Sequence, residues 1–359
     1  MNFQKLQKYH LWRTGSTLAA IFLMAALGVA GEHDRGVFVL TSTNNAIGND
    51  VVVFKLDTMG MPSLSWVDTL ATGGNGGAST NAGILQFKDD MGAVANYGSN
   101  NVTRLMRYDD SIGIGATIKL APGCVKPDSV ALTKEHLFVV GANCAESHAW
   151  PAGYVDGSVV GLADPSAAQI AVGKNWAAVT LSSGHLLQLP LTHYDGALSG
   201  MSAAVTLPMM ADMVPLGAAF WDDLLGFNPA HSPDSFALVD EDRNVFPVAG
   251  PTPSYPSNAP CWLAKGPGSA WYSGNSPGEA ISIFFSDAKG GVFYKSIPLP
   301  GPPSDITVSR DHKWLAVIYV AGGEGYVAVY AIDAYGDLTH VVTSNSIGVA
   351  GFNGVAFSQ

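Results

Sequence analysis

The densest run of side chains able to do acid–base work is Gly141-Ala-Asn-Cys-Ala-Glu146-Ser-His148-Ala-Trp150-Pro-Ala-Gly-Tyr154. Glu146 and His148 stand two apart, a spacing at which both can hold one water. A carboxylate or an imidazole is a suitable general base near neutral pH for activating such a water to attack a carbonyl. The developing oxyanion also needs a cation or an N–H donor, and Lys126 and Arg104 are candidates to supply it. The stretch reads as a long loop between strands, which places Glu146 and His148 at a channel mouth. An ordinary solvated loop is the competing reading.

Other residues suggest other chemistry. Asp128 and Asp305 fall at matching places in two repeats, each at the inner end of a strand. Two inward carboxylates suit a divalent metal or a basic ligand. Simple capping of the strand by Asp explains them as well. With Trp150 they make the candidate ligand contacts. Gly73-Gly-Asn-Gly-Gly77 offers bare amides to an anion, but no strand–loop–helix context surrounds it, so a flexible turn is the plainer reading. Ser182-Ser-Gly-His185 lacks the G-x-S-x-G elbow and reads as a hairpin turn. Phe220 to Pro229, followed by His231, reads as a turn lining one face. Met201, Met209, Met210 and Met213 read as packing filler.

The elements that position these groups are short strands. The 359 residues include 41 Gly and 21 Pro, spread along the chain, with only 13% charged. No helical periodicity competes after residue 31. A net charge of −11 excludes a nucleic-acid partner, which needs a basic surface, and no polybasic cluster suggests anionic lipid. The first thirty residues form a separate unit. Lys5, Lys8 and Arg13 precede the apolar run Thr17–Ala30, with Gly28 and Ala30 as small residues at a cleavage site. The run is short for a bilayer of about 30 Å, so residues 1–30 read as a cleaved leader and 31–359 as an exported domain, secreted or periplasmic and monomeric. An uncleaved anchor is the alternative. Cys124 and Cys144, at opposite ends of a strand pair, are the better candidates to pair in an oxidising compartment, leaving Cys261 free; three buried thiols is the other reading. Asn101-Val-Thr103 is a glycosylation sequon, meaningful only in a eukaryotic host.

A repeat runs through the chain: alternating apolar residues, a polar turn, then a short apolar restart. It appears at Val51–Asp57, Asn101–Asp109, Gly157–Leu162, His185–Leu191, Ser235–Asp240, Ala280–Phe285 and Tyr326–Asp333. From Val53 to Val329 the mean interval is about 46 residues, the span of one four-stranded propeller blade. The step from Val160 to Leu189 covers only 29, which predicts a trimmed blade or shortened outer strands there. The last residues, Val349–Gln359, read as a turn and one apolar strand whose partner is missing. That partner is present at the other end, in Gly36-Val-Phe-Val-Leu-Thr-Ser42. The expected fold is therefore all-β, a seven-bladed β-propeller closed by pairing of its N- and C-terminal strands. Its tryptophans, Trp314 and Trp271 among them, are expected between blades.

Ala259-Pro-Cys-Trp262, Gly301-Pro-Pro-Ser-Asp-Ile-Thr-Val-Ser-Arg-Asp-His-Lys-Trp-Leu315 and Val327-Ala-Val-Tyr-Ala-Ile-Asp-Ala-Tyr-Gly-Asp-Leu338 resemble the seven-bladed propellers of the lactonase type. That family includes bacterial 6-phosphogluconolactonase and fungal 3-carboxy-cis,cis-muconate cyclase. Val37–Asn45 and Thr72–Gly77 resemble an exported subgroup. The likeness covers nearly all of the chain after the leader. It implies a site at the central channel, with a His after a Pro at the start of an inner strand, and Arg and Glu nearby. Here the corresponding residues are Asp128 after Pro127, and Pro302-Pro-Ser-Asp305 without an Arg.

Three functions follow as expectations. The first is hydrolysis or lactone-forming isomerisation of a small lactone or cyclic ester. The second is a non-catalytic propeller that binds a ligand or protein. The third is a metal-dependent lactonase using the inward carboxylates.

Overall fold

A computed structural model describes residues 36–78, 81–207, 214–230, 235–248, 259–287, 290–348 and 351–359. Residues 1–30, read from sequence as a leader, lie outside the described residues, as do Met209, Met210, Met213 and His231. Seven four-stranded antiparallel sheets follow one another as blades. Blade 1 holds Val37–Ser42, Asn49–Asp57 and Ser63–Gly74, with Asn353–Ser358 as its innermost strand. Phe38 pairs with Ser358 and Leu40 with Ala356, so the ring is closed by the chain's two ends, as expected. Blade 2 runs from Leu85 to Lys119, blade 3 from Pro127 to Gly161 and blade 4 from Ala167 to Val205. Blades 5, 6 and 7 cover Val214–Val248, Pro260–Pro298 and Pro303–Thr343.

The low charge content follows from this stacking. Middle strands are covered on both faces, so His136–Gly141 and Trp176–Leu181 are buried at every position. Aromatic rings fill the wedges between blades: Phe236 of blade 5 lies 5.2 Å from Trp271 and 5.1 Å from Phe284 of blade 6. Trp176 and Trp271 are fully buried, which fits a structural role.

The irregular spacing has a specific cause. Six of the seven repeat segments form the third strand of their blades, counted outward from the channel. In blade 3 the segment found from sequence, around Val160, is instead the outermost strand, only two residues long at Val160–Gly161. The third strand of blade 3 is Cys144–Ala149. Its polar text reads as loop, but its polar groups are satisfied inside the protein.

Candidate functional site

Each blade contributes its first strand to the wall of the central channel, and most of these strands begin with a bulge. In blade 3, Pro127 pairs with Gly141 and Ser129 with Val140, which skips Asp128. In blade 7, Pro303 pairs with Tyr319 and Asp305 with Ile318, which skips Ser304. Asp128 is thus the counterpart of Ser304, and Asp305 that of Ser129. The two aspartates are not equivalent, contrary to the sequence reading. They are one step out of register, and only Asp305 lines the central cavity.

One end of the channel is crossed by residues 81–84, all buried. Asn81 donates Nδ2 to the Asp128 carbonyl (2.5 Å) and its carbonyl accepts from Trp262 Nε1 (3.2 Å). Asn353 Nδ2 donates to Asn81 Oδ1 at 2.5 Å. The Ala82 N–H donates to the Ala168 carbonyl, and the Gly83 carbonyl accepts from the Val130 N–H. The segment is thereby bonded to blades 1, 3, 4 and 6, on different sides of the axis. Gly83 has φ +69°, a conformation that favours glycine.

Above this floor lies a cavity of about 260 Å³. Its polar lining comes from Gln86, Gln169, Asp305, Thr307 and Lys265. Asp305 is buried, and burial pushes its carboxyl up to about 7 despite the opposing backbone N–H groups of Ile306, Val355 and Gly83. Its Oδ1 accepts from Ile306 N (2.8 Å) and its Oδ2 from Val355 N (3.2 Å). Lys265 is at the far end of its strand. Burial draws its ammonium down to about 8, with Asp222 acting in the other direction. It donates to the carbonyls of Gly266 (2.7 Å) and Gly268 (2.6 Å) and sits 5.0 Å over the Trp221 ring.

Of the residues singled out from sequence, only Asp305 stands here; the others do not gather around the cavity. Glu146 and His148 are fully buried in the third strand of blade 3, two strands out from the channel, and so are not at a loop-borne channel mouth. His148 Nε2 lies 2.8 Å from Glu146 Oε1, Glu146 Oε2 accepts from Ala121 N (2.9 Å), and His148 Nδ1 lies 3.1 Å from the Gly153 carbonyl. Arg104, on the third strand of blade 2, donates to the Pro151 carbonyl (2.6 Å). Trp150 packs in the core shared by blades 1 to 3. Lys126 is exposed and holds its ammonium 5.6 Å over the Tyr97 ring. Asp128 is buried, and burial pushes it up to about 7, with Lys126 pulling the other way.

Cys124 and Cys144 form a disulfide, and Cys261 is free. Among the described residues the one cluster with metal-ligand spacing is Cys124, Cys144 and Glu146. Its sulfurs are bonded to each other and offer no thiolate, so these residues do not fit a metal. The glycine run offers no anion site either. Gly76 N donates to the Asn45 carbonyl and Gly77 N to the Asn44 carbonyl. A Cβ on Gly76 would lie 2.4 Å from Asn44 backbone, which is why the turn needs glycine. The sequon is closed as well: Thr103 is fully buried and donates to the Thr72 carbonyl.

Gln86 and Gln169 were missed from sequence. A lone Gln in a strand looks like a solvent-facing position, and only the ring geometry turns these two onto one cavity.

No protein-family model and no curated protein sequence matches the chain. Solved structures do. A provisional 6-phosphogluconolactonase from Bacteroides uniformis superposes with a TM-score of 0.67 at 13% identity, covering 90% of this chain and 99% of that one. A protein from Lactobacillus plantarum gives 0.67 at 15%, with the same coverage. A streptogramin B lyase gives 0.56 at 16%, covering 75% of this chain and 84% of that one. At these identities the likeness carries the architecture alone: the chain is a seven-bladed β-propeller.

Proposed function

We propose that this protein is a lactonase-like propeller that takes a small lactone or cyclic ester into the central cavity and opens it with water. The observation that carries this is the position of Asp305: among the described residues it is the only carboxylate in the cavity wall, and burial tunes it to about 7. A base so placed suits reaction near neutral pH. Water's oxygen bonds to the carbonyl carbon while Asp305 takes its proton. The ring C–O bond then breaks, and the leaving oxygen recovers that proton to give a hydroxy acid. The lactonase-type architecture supports the reading by analogy. Export is part of the proposal, and the Cys124–Cys144 disulfide supports it, since such bonds persist in oxidising compartments.

A binding propeller without turnover is the second reading. It is favoured by the two backbone N–H bonds that already occupy both Asp305 oxygens. Acid release from a panel of uncharged lactones, measured from pH 5 to 9, separates the two. The first reading expects turnover that rises through about pH 7 as Asp305 ionises and is lost in Asp305→Asn with the fold intact by circular dichroism. Saturable binding with no acid release at any pH supports the second and removes the first.

A further inference from the structure

The cavity floor is a hydrogen-bonding site of defined polarity. The Gln169 side chain has its oxygen pinned, because Oε1 accepts from the Ala218 N–H at 2.6 Å. Only an oxygen can accept there, so the amide orientation is fixed and the NH₂ group faces the other way. That nitrogen lies 3.4 Å from the point where a Cβ on Gly83 would sit, and Gln86 Nε2 lies 3.3 Å from the same point. Two carboxamide nitrogens from blades 2 and 4 therefore stand on the same side of a residue without a side chain, with Ser129 Oγ 3.0 Å from the same point. Neither nitrogen donates to a protein acceptor among the described residues. Each can thus donate to a ligand oxygen without breaking a bond within the protein, and the orientation of Gln169 is already set.

The charges around the floor decide what that oxygen belongs to. Lys265, the only cation lining the cavity among the described residues, is held by backbone carbonyls on the rim. Asp305 stands in the wall. An anionic group on the floor would meet no free cation and would face a carboxylate.

We propose that Gln86 and Gln169 hold the carbonyl oxygen of an uncharged ring ligand above Gly83, and that this pair makes the site select neutral lactones over phosphorylated or carboxylated ones. The inference rests on the lactonase-like reading for the ring ester, but the donor pair stands or falls separately. A lactam keeps the ring carbonyl and is not opened by the esterolytic step, so it tests the donors alone.

The experiment is calorimetric titration of the full protein with δ-valerolactam and glucono-1,5-lactone, and with the 6-phospho derivative of the latter. Wild type, Gln169→Glu and Gln86→Leu are compared, with melting curves for each. Gln169→Glu keeps an oxygen for the Ala218 N–H and replaces the free NH₂ by a second acceptor. The expected result is binding of both neutral rings, weaker binding of the phosphorylated one by at least about tenfold, and a loss of about tenfold or more for the lactam in each variant. Lactam binding that ignores both substitutions overturns the donor pair, even if lactone turnover is found. Lactam binding that is lost in both variants supports the pair, even if no lactone is turned over. Tighter binding of the phosphorylated ring, or no lactam binding by wild type, also overturns the proposal.

Discussion

Asp128 gives a test of the electrostatics that needs no substrate. Its carboxyl is buried at the start of the blade 3 inner strand, and burial moves it from 3.8 to about 7. Between those pH values the folded protein holds the proton and the unfolded chain has released it. The folded state then binds more protons than the unfolded one, so stability falls as pH rises. Below about 4 both states are protonated and the burial has no electrostatic cost; above about 7 both are ionised and the whole cost is present. The interval from 3.8 to about 7 corresponds to roughly 4 kcal/mol. Asp128→Asn keeps the size of the side chain and removes its titration. In guanidinium denaturation at pH 4, 6 and 8, the variant is expected to match wild type at pH 4 and to exceed it by about 4 kcal/mol at pH 8. Asp305 is raised in the same direction, but it acts on both proteins and drops out of the difference. A difference between the two proteins that is the same at pH 4 and pH 8 would falsify the argument, because Asp128 would then ionise in the folded state as it does in water.

Three further outcomes are expected. Glu146→Ala leaves His148 and the Ala121 N–H without their partner inside blade 3 and should cost roughly 3 kcal/mol; thermal melts check this, and any lost activity should follow the folded fraction. Cys144→Ser opens a crosslink between residues 20 apart and should cost about 3 kcal/mol by the chain-entropy argument, seen as an equal loss in wild type when reductant is added. Gly83→Ala puts a Cβ 3.0 Å from Ser129 Oγ at a φ of +69°; a loss of roughly 1–3 kcal/mol in denaturation is expected, with weaker lactam binding by calorimetry.

The ring was legible in the sequence because it depends on alternation and spacing, which apolar strands such as Tyr326–Ile332 display openly. Its closure was legible for the same reason: the final strand has the text of an inner strand, and the strand that pairs with it stands at Val37–Ser42. The site was not. The strand Cys144–Ala149 alternates in space but not in hydropathy, since Glu146 and His148 bond each other and Ser147 bonds the Asp156 carbonyl. This one polar strand is therefore hidden twice: the repeat steps past it to Val160, and Glu146 and His148 read as loop residues. The bulges were equally hidden. A skipped residue leaves no mark in the text, yet it decides that Asp305 and not Asp128 faces the cavity. Gln169 and Gln86 are fixed as partners by a fold that sets blades 2 and 4 around one axis, which no local pattern records.

The segment at 81–84 has the character of a keystone. Its partners lie 47, 181 and 272 residues away at Asp128, Trp262 and Asn353, so its seats exist only when most of the circle has assembled. Contacts of such long range form late, after the costly loop closures. The cavity it floors draws its wall from blades 2 to 7, so no partial ring presents it. Ligand capture by this protein is thereby a report on completed folding: a chain stopped short of its last strand would carry every residue that lines the cavity but lack Asn353, which seats the floor, and Val355, whose N–H bonds Asp305.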